Sequence, residues 1–157
     1  MTRNTTVLAG AAIVLAAAGM FYIAGRSPQP SGRAPDIQAG RLLYAENCAS
    51  CHGANLEGQP NWRTPRPDGT YPAPPHDETG HTWHHGDGLL FDYTKLGGQE
   101  MLKRMGAGDA KSGMPGFGDS LSDDQIRDIL AFIQSTWPER VREIQAQRTR
   151  AERQKGN

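Results

Sequence analysis

The chain has 157 residues, enough for one modest domain with appendages, and 17 basic residues balance 17 acidic ones. The balance is uneven: residues 34–137 carry eight basic and 14 acidic residues, 1–33 carry three arginines and no acid, and 138–157 carry six basic and three acidic residues. An acidic middle excludes nucleic acid as the expected partner and favours a protein with a basic docking face.

Val7 to Ala24 is a run of 18 residues without a charge. As a helix it would reach about 27 Å, enough to span a bilayer core. Arg3 ahead of it favours a cytoplasmic amino terminus. Residues 1–26 are therefore expected to form a transmembrane anchor in the inner membrane, with the rest of the chain on the periplasmic side. The competing expectation is a cleaved signal peptide, with Val7–Leu15 as apolar core and Ala16-Ala17-Ala18 as cleavage site, which would leave a soluble periplasmic protein. Residues 27–35 hold three prolines and read as a linker, with a reach of about 28 Å at polyproline pitch.

From Asp36 the pattern turns helical. Asp36 can serve as N-cap, and Ile37, Gly40, Leu43 and Tyr44 recur at helical spacing up to Cys48-Ala49-Ser50-Cys51-His52. C-x-x-C-H is the attachment signature of haem c. Thiols three apart share one side of a helical turn, within reach of the two vinyl groups of one porphyrin. The histidine that follows is placed as axial ligand of the iron. These are the chain's only cysteines, so no structural disulfide can coexist with that use. A zinc site of Cys48, Cys51, His81 and His84 would need a longer interval than zinc fingers use and would leave His52 idle. A redox dithiol wants a βαβ context that the pattern lacks.

Gln59 to Pro75 holds six prolines in 17 residues and must be a loop, with Pro67-Asp68-Gly69 a tight turn. In it Trp62, Arg63 and Tyr71 are candidate donors to haem propionates. His76, His81, His84 and His85 then put four imidazoles within ten residues. They read either as a polar loop at the haem edge or as ligands of a second metal, copper by its preference for nitrogen. Gly88–Tyr93 and Gln99–Met105 are expected to be short helices, with Met101 and Met105 packed in the core. Lys111–Asp119 is a glycine-rich loop containing Met114-Pro115. Ser122, with Gln125 three residues on, caps an amphipathic helix whose buried stripe is Ile126, Ile129, Leu130, Ile133 and Trp137. Pro138 interrupts it, and 138–157 reads as a polar basic tail on a solvated helix.

A helix ending in C-x-x-C-H, a glycine-rich Met-Pro loop and a capped amphipathic helix, in that order, resemble the class I c-type cytochromes over 36–137. The longer proline- and histidine-rich segment looks like that of the bacterial membrane-anchored, single-haem members. The resemblance implies an all-α cytochrome c fold, with first and last helices crossing around one covalent haem c and an N-terminal transmembrane helix ahead of it. Gly40 and Tyr44 match the family's first helix, and Ile129, Phe132 and Ile133 its last. Met114 matches the distal ligand, opposite His52. The implied function is a periplasm-facing electron carrier between redox partners rather than an enzyme, because a His/Met iron has no open position for substrate. The alternatives are a cytochrome subunit of a membrane-associated dehydrogenase or oxidase, and a copper-handling protein using the His76–His85 run.

Overall fold

A computed structural model describes residues 32–155, which are helical with no strand among the described residues. Arg33–Asn157 forms one compact unit. Helix α1 (Ile37–Asn47) begins where the Asp36 carboxylate accepts from the amides of Gln38 and Ala39. It runs through Cys48 into the single turn α2 (Ala49–His52). After a long loop and a 3₁₀ turn at Thr82–His84 come α3 (Asp87–Leu96) and α4 (Gly98–Arg104). Helices α5 (Asp123–Ser135) and α6 (Glu139–Lys155) complete the chain.

The core forms where α1 meets α5. On α5 the expected capping box is present: the Ser122 hydroxyl accepts from Gln125 N, and the Gln125 side chain accepts from Ser122 N. Ile126, Ile129 and Ile133 follow at helical spacing and are buried, and Trp137 is buried just beyond the helix. Opposite them α1 buries only Gly40 and Tyr44. Gly40 is the close approach: a Cβ there would lie 2.0 Å from the Asp128 carbonyl oxygen. One turn along, the Tyr44 ring packs against Phe132, with ring centres 5.4 Å apart.

Asp128 lies at the same junction, 2 % exposed. Its carboxylate accepts from Asp36 N at 2.8 Å and pairs with the Arg33 guanidinium. A buried carboxylate needs such partners. The pair clasps the start of the domain to its last core helix.

Helix α6 is more than a solvated tail. It buries Val141, Gln145 and Thr149, four residues apart on one face. The first residue of α3 follows Gly86, which has no side chain to cap the helix. Its caps come from α6 instead: Thr149 Oγ1 accepts from Asp87 N at 3.0 Å, and the Glu152 carboxylate accepts from Gly88 N at 3.1 Å and Leu89 N at 2.7 Å. Gln145 donates to Asp87 Oδ1 at 2.7 Å. The Val141–Gln145–Thr149 face of α6 thus folds back on the domain, with Glu152 beside it.

Two sequence expectations need correction here. Among the described residues no helix is long and apolar enough to cross a membrane, so the expected inner-membrane placement is not supported. The stretch 7–24 on which it rested, and most of the 27–35 linker, lie outside the described residues. Met105 is 59 % exposed rather than packed, because it follows the last residue of α4; Met101 is buried as expected.

Candidate functional site

The Cys48–His52 turn is held from both sides. Cys48 breaks the helix, and its carbonyl accepts from Cys51 N at 3.1 Å and His52 N at 2.9 Å. The Tyr44 hydroxyl donates to the Gly53 carbonyl at 2.9 Å. Both cysteines are free thiols, Cys48 half-buried and Cys51 exposed. Burial, with the neighbouring Cys51 adding to it, pushes the Cys48 thiol up to about 11, so it is protonated at neutral pH.

His52 is buried at 8 % exposure, and its Nδ1 lies 2.8 Å from the Pro74 carbonyl. A carbonyl can only accept, so Nδ1 carries the proton and Nε2 keeps its lone pair. Burial holds the ring below the ordinary histidine value, against the opposing bond to Pro74. A neutral imidazole, fixed through one nitrogen with the other left as a donor, is the state a metal ligand requires. Two free thiols on the preceding turn fit the vinyl groups of a haem, and His52 fits its iron.

The loop that supplies Pro74 is built for that purpose. Gly58 N donates to the His52 carbonyl at 2.7 Å, and a Cβ on Gly58, at φ +69°, would lie 2.4 Å from Pro75 N. Leu56 takes the left-handed conformation, φ +66°, which costs a non-glycine residue about 1 kcal/mol. Its buried side chain holds it there, and its carbonyl accepts from His76 N at 2.8 Å and Asp77 N at 3.3 Å. Gln59 closes the proline-rich loop: its amide donates to Ala73 O at 2.8 Å, and its side-chain oxygen accepts from Arg66 at 2.7 Å. The expected turn at Pro67-Asp68-Gly69 is present, with Gly69 N donating to Arg66 O at 2.9 Å.

The other sequence candidates are spread around this frame. Trp62 stacks on His81 with ring centres 5.4 Å apart, and the Arg63 guanidinium lies 4.0 Å over the Trp62 ring. Tyr71 is exposed, and its carbonyl rather than its hydroxyl is engaged, by Arg66. The four histidines are not gathered. His76 lies against His52, with ring centres 3.9 Å apart; His84 lies on Trp83 at 3.8 Å; His81 and His85 meet edge to face at 5.5 Å. Among the described residues no group of three or more His, Cys, Asp or Glu could hold a metal ion.

Met114 is half-buried on a braced loop. Its carbonyl accepts from Gly98 N at 3.0 Å, its amide donates to Ser112 Oγ at 3.3 Å, and Gln99 Oε1 accepts from Ser112 N at 3.1 Å. Phe117 N and Gly118 N then donate to Thr94 O and Lys95 O at the end of α3. Sequence reasoning missed Pro74, Arg66 and the Trp137 indole, which donates to the His76 carbonyl at 2.7 Å. Only the six prolines hinted that a rigid carbonyl waited in that loop.

One pH effect follows from the histidines. Burial, aided by His84 and Arg148 and opposed by Glu152, holds His85 below its ordinary value. Below about pH 6.5 the unfolded chain then binds more protons at this residue than the folded one. Its contribution to stability is complete above that pH and is lost as pH falls. In thermal melts from pH 7 to 5, His85→Gln should flatten the acid decline of Tm; an unchanged slope would show that His85 does not contribute.

The comparisons agree with this geometry. The chain is 36% identical over 119 residues to a thiosulfate dehydrogenase of Psychrobacter arcticus (strain DSM 17307 / VKM B-2377 / 273-4), an alignment covering 69% of this chain and 31% of that enzyme. The chain thus spans about a third of the length of the curated relative it matches. No solved structure matches it significantly. The family model for cytochrome c matches residues 37–137, from the first residue of α1 to Trp137. That span takes in the Cys48–His52 turn, the Pro74 loop and the Met114 loop, and by it the chain belongs to the cytochrome c family, whose covalently bound haem c is the cofactor that Cys48 and Cys51 fit.

Proposed function

We propose that this cytochrome is a one-electron carrier between redox proteins, with its haem iron held between His52 and Met114. The observation that carries the reading is the His52 Nδ1–Pro74 bond, which leaves the Nε2 lone pair free for ligation. Haem supplies the reversible one-electron chemistry when bound. The chain's own residues do the rest: Cys48 and Cys51 tether it, Pro74 orients His52, and the Gly98–Met114 bond holds the methionine loop against the end of α3. With both axial positions filled there is no open site for substrate, which favours carriage over catalysis. The acidic stretch 34–137 favours a partner with a basic docking face, and the rate of exchange with it should fall as salt rises.

The absorption spectrum of the haem-loaded protein tests the ligation. The ferric parent should show the weak sulfur-to-iron band at the red edge. Met114→Ala should abolish that band, keep the haem covalently attached, and open the ferrous iron to rapid carbon monoxide binding. A band that persists in Met114→Ala would remove Met114 from the iron.

A second reading rests on the relative. Thirty-six per cent identity to a thiosulfate dehydrogenase favours a chain that accepts electrons as the cytochrome component of a thiosulfate-oxidising enzyme. Mixing the ferric protein with thiosulfate, alone and with a thiosulfate-oxidising partner, distinguishes the two. Reduction by thiosulfate alone, or only within a complex that stays together on gel filtration, supports the enzyme reading, and reduction by a partner that separates from the cytochrome supports carriage.

A further inference from the structure

His76 is the polar side chain that the carrier reading leaves unused. Its ring centre lies 3.9 Å from that of His52, with the two planes tilted by 31°, so the rings are in close packing contact. Its backbone is pinned from two directions, His76 N to Leu56 O at 2.8 Å and the Trp137 indole to His76 O at 2.7 Å. The Tyr44 ring meets it edge-on at 6.1 Å. The ring is therefore held where it is. Its Nδ1 is fully buried and is the one such side-chain atom without a hydrogen-bond partner among the described residues. An unpartnered buried nitrogen costs free energy that an aliphatic side chain of similar size would avoid.

The contact also excludes one role. An iron between two imidazoles needs each nitrogen about 2 Å away on opposite sides, which sets ring centres about 6 Å apart. His76, with its ring centre only 3.9 Å from that of His52, is not the opposite ligand in this arrangement.

We propose that His76 is the positioning residue of the axial histidine, fixing the rotation of the His52 ring and stabilising the ferric haem through the aromatic ring it packs against His52. The inference rests on the reading of His52 as iron ligand. An axial imidazole can turn about its bond to the metal. The Pro74 carbonyl restrains one nitrogen of His52, and the packed ring of His76 restrains the ring plane. Ferric iron draws charge from its ligand, and an aromatic face is favourable to a ring made more positive. Removing that face should therefore favour the ferrous state.

The test uses the haem-loaded full chain. By proton NMR the ring signals of His52 should be strongly shifted by the iron in the ferric state, and a dipolar cross-peak should link the His52 and His76 rings in the diamagnetic ferrous state. Unshifted His52 signals overturn the ligation reading. Shifted signals without the cross-peak overturn this inference alone. His76→Leu should raise the midpoint potential and alter the ferric EPR g values at unchanged haem content. His76→Phe, which keeps a flat ring on His52, should hold the g values near those of the parent. A haem-loaded His76→Leu protein with parental potential and g values overturns the inference, and if either variant fails to fold the cross-peak decides.

Discussion

Gly40→Ala should destabilise the folded cytochrome by about 2 kcal/mol, although the same exchange inside an ordinary exposed helix gains about 1 kcal/mol. The new Cβ would sit 2.0 Å from the Asp128 carbonyl oxygen and 3.1 Å from Ile129 N. Both are backbone atoms of α5, so neither can swing aside as the end of a side chain would. Relieving the overlap means moving α1 off α5, an overpacking cost of about 3 kcal/mol that outweighs the helical gain. The same shift would loosen the Asp36–Asp128 bond and the Tyr44–Phe132 contact. Denaturant midpoints of the haem-loaded protein measure the effect. A variant as stable as the parent would mean that the two helices do not meet at Gly40.

Removing 138–157 should cost about 3 kcal/mol. Val141 contributes about 2 kcal/mol by burial. The Thr149 cap on α3 adds about 1 kcal/mol, and the loss of Glu152 leaves two more amides of its first turn unpaired. The loss should also be local. Hydrogen exchange at Asp87, Gly88 and Leu89 should accelerate well before that of α5. The double variant Thr149→Ala, Glu152→Ala should reproduce the local effect with the rest of α6 intact. Unchanged exchange at those three amides would contradict the capping.

The contrast between these two regions shows what sequence can and cannot carry. The α1–α5 pair was legible because its signals are local and strong: an Asp36 cap, a Ser122–Gln125 box, and isoleucines at helical spacing. The role of α6 was not, because its buried stripe is Val141, Gln145 and Thr149. Two of the three are polar, and hydrophobic periodicity does not register a stripe that works by hydrogen bonds.

The site divides in the same way. Cys48, Cys51 and His52 stand in one turn, where spacing alone announces the chemistry. Pro74 acts through a backbone carbonyl, and a carbonyl has no residue type to recognise. His76 looked like one of four clustered histidines. In the structure the 3₁₀ turn at Thr82–His84 and the packing of Trp62 and Trp83 distribute those histidines to different neighbours. Proximity in sequence over a loop does not fix proximity in space.

The clasp between Asp36 and Asp128 joins residues 92 apart in the chain. The chain between them must close before the clasp can repay its entropy. As the chain is synthesised from its amino end, α1 and the Cys48–His52 turn exist long before α5 can dock on them. Cys48, half-buried and hard to ionise in the finished fold, is in that interval an open thiol with ordinary acidity. Before α5 arrives, Cys48 is thus as open to a reaction partner as Cys51 remains in the finished fold.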